Sequence, residues 1–267
     1  MITIPIPETP PASRPQAPPL ISIRDLWKRL GEQEVLKGFD LDIPTGQTLV
    51  VIGRSGGGKS VLLKHIIGLM KPDRGDVLVE GESIVALSER QLSRVRKKIA
   101  VLFQSAALFD SMNVEENIAF PLREIGLKNQ ALIDERVAGA LEMVDLAGEQ
   151  KKMPEKLSGG MRKRVGLARA IVTEPRCILY DEPTTGLDPI VADSINRLIR
   201  RLQKRLGITS IVVTHDMKSA FHVADQIAYL YDGRVYFKGT SEELRASTDP
   251  LIHDFIQGRS QELRTDD

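Results

Sequence analysis

The sequence predicts an α/β protein built on a parallel sheet with helices on both faces. Three observations predict it. Continuous runs rich in Val, Ile and Leu recur at Leu49–Ile52, Cys177–Tyr180, Ser210–Val213 and Ile227–Tyr231. Strands covered on both faces read in this way, because neither side meets water. Helical patterns separate these runs, as parallel neighbours require a crossover. The chain has 267 residues, 42% of them apolar, which suffices for one large domain, or a domain with a subdomain, to bury its core without cross-links.

Residues 1–20 hold seven of the fifteen prolines. Proline fixes φ and removes a backbone donor, so this stretch reads as an extended, disordered tail. It lacks a basic start followed by a long apolar run, so it does not read as a secretory signal. From residue 21 to about 240 the pattern is globular. After the first apolar run, VLLKHIIGL reads as helix. Ser88 and Gln91 have the spacing of a capping box ahead of the basic helix QLSRVRKK. Helical pattern dominates residues 88–174, including a helix from about Gln130 to Leu146, and this region reads as a helical insertion. A further helix is capped by Asp188, admits Pro189 in its first turn and stops at Gly207. Its Ile195, Leu198, Ile199, Leu202 and Leu206 follow the 3.6-residue period. Residues 241–267 form a helical tail. Its Leu251, Ile252, Phe255 and Ile256 lie at helical spacing, fit to pack either on this subunit or on a second copy.

Composition excludes several classes. The 37 basic and 36 acidic residues leave a formal charge of +1, so no global field points to nucleic acid. The short basic run Arg94–Lys98 reads as a solvated helix face. One cysteine, Cys177, permits neither an internal disulfide nor a multi-cysteine metal site. No apolar stretch approaches the ~18–20 residues that span a bilayer.

Two motifs carry the chemistry. Gly53-Arg54-Ser55-Gly56-Gly57-Gly58-Lys59-Ser60, followed by Val61, fits the phosphate-loop pattern G-x-x-x-x-G-K-[ST] between a strand and a helix. Glycines let successive N–H groups face an anion, and the helix start adds its positive end. Lys59 is suited to the β- and γ-phosphates of a nucleotide and Ser60 to Mg²⁺. The second motif is Asp181-Glu182 at the end of the strand CILY, where open α/β sheets bind ligands. Asp181 is suited to the metal. Glu182 is suited to polarise or orient an attacking water.

Leu157-Ser158-Gly159-Gly160-Met161 before RKRVGLARAIV is a second anion-binding helix start. Two phosphate sites of different design suggest a head-to-tail dimer in which each loop faces the other copy's serine–glycine turn. Together these motifs resemble the ATP-binding subunit of ABC transporters over residues 21–240. The resemblance implies a P-loop NTPase (RecA-like) core, an antiparallel β subdomain and a helical insertion subdomain. It implies ATP and Mg²⁺ as ligands, and ATP hydrolysis as the reaction. It makes Gln104 in LFQ the Q-loop residue, touching metal or water. Asp188 in TTGLDP becomes the D-loop residue. His215 in IVVTHD becomes the switch histidine at the γ-phosphate.

The segments LFQSAALFDSMNVEENIAFPLRE, LSGGMRKRVGLARAI and YDEPTTGLDPI are similar to the Mla/MCE-type branch. That branch implies a homodimer of ATPase subunits on integral-membrane permeases, an MCE-domain lipid-binding protein and a lipid cargo. It implies a place at the cytoplasmic face of the bacterial inner membrane. An importer for polar solutes such as amino acids or ions shares the chemistry and is the alternative. Residues Ser105 to Glu124, with Leu108, Phe109 and Met112, are the candidate permease contact. Leu30, before Gly31, stands where many relatives stack adenine on an aromatic ring, and Trp27 faces the opposite side of an extended strand. Base stacking is therefore expected to be weak.

Overall fold

The computed structural model describes residues 18–259. The tail expected at the N-terminus, up to residue 17, and residues 260–267 lie outside the described residues. In chain order the elements are β1 (Ile21–Leu30), β2 (Gln33–Ile43), β3 (Thr48–Ile52), α1 (Lys59–Ile66), β4 (Arg74–Val79), β5 (Glu82–Ser83), α2 (Glu89–Arg96), β6 (Ile99–Leu102), α3 (Val114–Glu124) and α4 (Gln130–Met143). They continue with α5 (Gly159–Ile171), β7 (Cys177–Asp181), α6 (Pro189–Leu206), β8 (Thr209–Thr214), α7 (Met217–Val223), β9 (Gln226–Tyr231), β10 (Arg234–Gly239), α8 (Ser241–Ala246) and α9 (Pro250–Gln257).

Two sheets result. The larger has the order β10-β9-β3-β8-β7-β6, parallel except for the edge strand β10. The smaller, β2-β1-β4-β5, is antiparallel. All four strands read from apolar runs are present. Along β3 the side chains alternate between two cores: Val50 and Ile52 join the cluster with α3 to α7, while Leu49 and Val51 join the cluster with α1, α2 and the small sheet. Each such fully buried side chain stabilises the fold by about 1.5–3 kcal/mol.

The stretch in which helical pattern dominates also contains a strand, β6. Its four residues, IAVL, pair in parallel with β7. So short an apolar run carries no period that separates strand from helix. The basic run beside it is partly structural, since the Arg96 guanidinium donates to Ile67 O at 3.0 Å and Gly68 O at 3.1 Å.

Capping follows the sequence. Asp188 Oδ1 accepts from the N–H groups of Ile190 and Val191, both at 3.0 Å, and α6 ends on Gly207 at φ 62°. Helix α4 stops at Met143, three residues before the expected end. Asp145 adopts φ 58°, and its carboxylate accepts from Arg164 and Arg201 at 2.7 Å each. Two guanidinium partners, Arg201 first, hold that carboxyl below its usual range. Helix α9 packs on its own subunit: Ile252 is buried, and the Phe255 ring lies 4.6 Å from that of Tyr229. Among the described residues no helix is long and apolar enough to cross a membrane.

Candidate active site

Three neighbouring strands, β3, β8 and β7, bring their carboxyl ends together. The loop Gly53–Gly58 follows β3 and feeds directly into α1. Gly58 takes φ 98°, and a Cβ there would stand 3.0 Å from Val35 Cγ1; backbone and neighbour both demand glycine. Lys59 folds over the loop. Its ammonium donates to Gly53 O at 2.9 Å and Arg54 O at 3.0 Å, and lies 3.7 Å from Glu182 Oε1. Burial lowers the Lys59 pKa, and Glu182 and Asp181 partly counter it.

The acidic pair sits opposite. Ser60 Oγ donates to Asp181 Oδ1 at 3.0 Å. Burial raises the Asp181 pKa against that hydrogen bond. Glu182 has φ 48°, a left-handed conformation that costs a residue with a side chain about 1–3 kcal/mol and tends to mark functional sites. Glu182 Oε1 is 2.9 Å from His215 Nδ1. Its Oε2 accepts from Thr214 Oγ1 at 3.1 Å and Thr185 Oγ1 at 3.3 Å. The structure thus gathers Lys59, Ser60, Asp181, Glu182 and His215, which the sequence had placed in one site.

Gln104 joins through its main chain. Its carbonyl accepts from the Lys163 ammonium, which also donates to Glu182 O at 3.4 Å. Lys163 and Thr214 were not singled out from sequence. A signal existed for Lys163: it falls on the buried stripe Gly160, Lys163, Leu167, Ala170 of α5, where a charge is out of place. Burial pushes its pKa down to about 8, with Asp181 and Glu182 opposing.

The other predicted residues stand apart. Among the described residues no hydrogen bond or ion pair joins Ser158, Gly159, Gly160 or Asp188 to the phosphate loop. Ser158 Oγ caps α5 by accepting from Met161 N at 3.2 Å. A Cβ on Gly160 would lie 2.6 Å from Val191 Cγ1, so the serine–glycine turn packs tightly on the start of α6. Trp27 is engaged within the small sheet, its indole N–H donating to Asp25 Oδ1 at 2.7 Å, and Leu30 is exposed.

The donor set fits Mg²⁺. Ser60 and Asp181 offer hard oxygens side by side, and among the described residues no group of three or more His, Cys, Asp or Glu could hold a metal ion. One or two such protein oxygens completed by nucleotide phosphates is the usual magnesium arrangement.

Residues 36–185 match the family described as ABC transporter. The chain belongs to the ABC transporter family. Over 239 residues it is 41% identical to the intermembrane phospholipid transport system ATP-binding protein MlaF of Escherichia coli K12, covering 90% of this chain and 89% of MlaF. It is also 41% identical to the probable ribonucleotide transport ATP-binding protein mkl of Mycobacterium leprae, covering 90% of this chain and 69% of mkl. Among solved structures, a dimeric ATP-binding cassette in a post-hydrolysis state, bound to ADP and Pi, has a TM-score of 0.75 and 32% identity, covering 82% of this chain and 98% of that one. This ABC protein is an ATPase: ATP and water yield ADP and phosphate.

Proposed function

We propose that this ABC ATPase powers the movement of phospholipid or a related lipid between bacterial membranes. One observation carries the reading: the chain and MlaF match at 41% identity over nine-tenths of each. A ribonucleotide cargo is the second reading, motivated by mkl at the same identity, although mkl extends well beyond the matched region.

In the proposed mechanism two copies stack head to tail. The loop amides and Lys59 of one copy hold the β- and γ-phosphates. Ser158 and Gly160 of the other close over the γ-phosphate with a hydroxyl and a helix start. Asp188 lies at the junction between copies. Ser60, Asp181 and Gln104 would hold Mg²⁺, which offsets phosphate charge when bound. Glu182 takes a proton from the attacking water, held in place by Thr214, Thr185 and His215. His215 then contacts the γ-phosphate. ATP binds the closed pair more tightly than the open one, and that difference drives the conformational change.

The permease meets a groove of about 670 Å³ beside the Q-loop, lined by Phe103, Phe109, Phe120 and Ile125 with Arg96 and Arg169. Phe103, Phe109 and Ile125 are exposed, while buried Asn117 holds the loop: its two amide N–H donors are shared among the carbonyls of Phe109, Met112 and Asn113, 2.9–3.1 Å from Nδ2. Apolar side chains on a pinned loop suit a partner helix. A photo-crosslinker at position 109 is expected to capture an integral-membrane subunit; capture of none contradicts this contact. The ATPase sits at the cytoplasmic face of the inner membrane through that permease, with an MCE-domain protein in the assembly.

With Leu30 in place of an aromatic ring, adenine gains little stacking. ATP and GTP should bind within about tenfold of each other, less than 1.4 kcal/mol. A strong preference for ATP in competitive titration contradicts the assignment.

Mild-detergent copurification from native cells, with mass spectrometry of proteins and lipids, tests the cargo. A permease, an MCE-domain protein and phospholipid enriched over a control complex support the proposal. A different permease with a solute-binding protein and no lipid enrichment overturns it.

A further inference from the structure

We propose that Lys163 is a positioning residue that ties the Q-loop to the main chain of Glu182, so that the two move as one. The proposal rests on the ATPase site described above. Lys163 is 4% exposed. Burying an ammonium is costly unless oxygen partners surround it. Its partners come from two separate segments: the carbonyl of Gln104, after β6, and the carbonyl of Glu182, at the end of β7. Both residues carry candidate reactive side chains.

The second anchor lies six residues further along α5. The Arg169 guanidinium donates to Ala106 O at 2.6 Å and Ala107 O at 2.9 Å. Those alanines have φ 63° and 45°, a left-handed pair that needs external support. Three Q-loop carbonyls are thus held by two cations on one helix. That helix is capped by Ser158, the residue proposed to reach the other copy's nucleotide. Helix α5 and the Q-loop form one mechanical unit, and Lys163 joins it to Glu182.

The join matters because of Glu182's backbone. At φ 48° its peptide is strained, and a charged donor on its carbonyl helps fix that peptide and hence the direction of the carboxylate. Without the ammonium, the carboxylate keeps its partners Thr214, Thr185 and His215 but loses its reference to the Q-loop. Nucleotide contacts on the phosphate loop are untouched. A small misplacement of a reacting group is costly for chemistry and cheap for binding.

Steady-state ATPase kinetics on the full chain copurified with its membrane subunits tests this, alongside fluorescent-nucleotide binding and thermal melting. Lys163→Met, which keeps the stem and removes the charge, should lower kcat by about tenfold or more while KM for ATP changes by less than about threefold. Lys163→Arg should recover kcat to within about threefold of wild type. The proposal is overturned if Lys163→Met keeps wild-type kcat, or if the arginine variant is as slow as the methionine variant with its melting and nucleotide binding intact. Should Lys163→Met not fold, Lys163→Gln takes its place with the same two readings. Failure of wild type itself to hydrolyse ATP would count against the ATPase assignment, a result distinct from an active variant.

Discussion

Glu182→Gln is expected to lower ATP turnover by roughly 10²–10⁴-fold, the range of a lost general base, and to leave the chain as a closed, ATP-loaded dimer. The substitution keeps the side chain's size and most of its partners. An amide can still accept from Thr214 Oγ1 and Thr185 Oγ1, which now sit 3.1 and 3.3 Å from Oε2. What it cannot do is take a proton from water. Binding and closure therefore persist while the step that reopens the dimer stalls. Single-turnover kinetics and light scattering in ATP read both effects. Near-normal turnover would refute the assignment of Glu182 as base, and a monomer in ATP would refute the closed state.

Lys59→Met acts on the other side of the site. It should reduce kcat/KM by at least about 10²-fold, the scale of losing a preorganised electrostatic contact to the transferred phosphoryl group. The fold should not suffer. Burial depresses the Lys59 pKa, so at neutral pH the charged form is less favourable in the folded chain than in the unfolded one. This depression is an unfavourable contribution below the folded pKa, and it shrinks only as pH rises through it. A methionine of similar length removes that unfavourable contribution, at the expense of leaving Glu182 Oε1 without the cation 3.7 Å away. Melting should therefore occur at or slightly above the wild-type temperature while activity is lost, a separation common at functional sites. A large fall in melting temperature, or retained kcat/KM, contradicts this account.

Much of the candidate site is legible in the sequence because its residues sit at fixed offsets from strands that announce themselves. LVVI and CILY are buried on both faces, and the phosphate loop and Asp181-Glu182 follow them immediately. The caps of α6 were equally legible, since Asp188, Pro189 and Gly207 act through local backbone geometry. Strand β6 was hidden because IAVL is recognisable as a strand only through its pairing with β7. The early stop of α4 arises from Asp145, whose left-handed turn is stabilised by Arg164 and Arg201 from two other helices. Lys163 is hard to read for a related reason: in RKR it looks like a surface charge, and only the folded chain brings Gln104 and Glu182 to it. Ser158 and Asp188 were legible as motifs, yet their proposed partners belong to a second copy of the chain.

The most direct test of the account is ATP-driven transfer of a fluorescent phospholipid by the complex reconstituted in vesicles, wild type beside Glu182→Gln, with labelled ribonucleotide uptake measured in parallel. The account predicts phospholipid transfer that requires ATP, disappears in the variant, and is unaccompanied by ribonucleotide uptake. Hydrolysis that moves ribonucleotide and leaves phospholipid in place would contradict it.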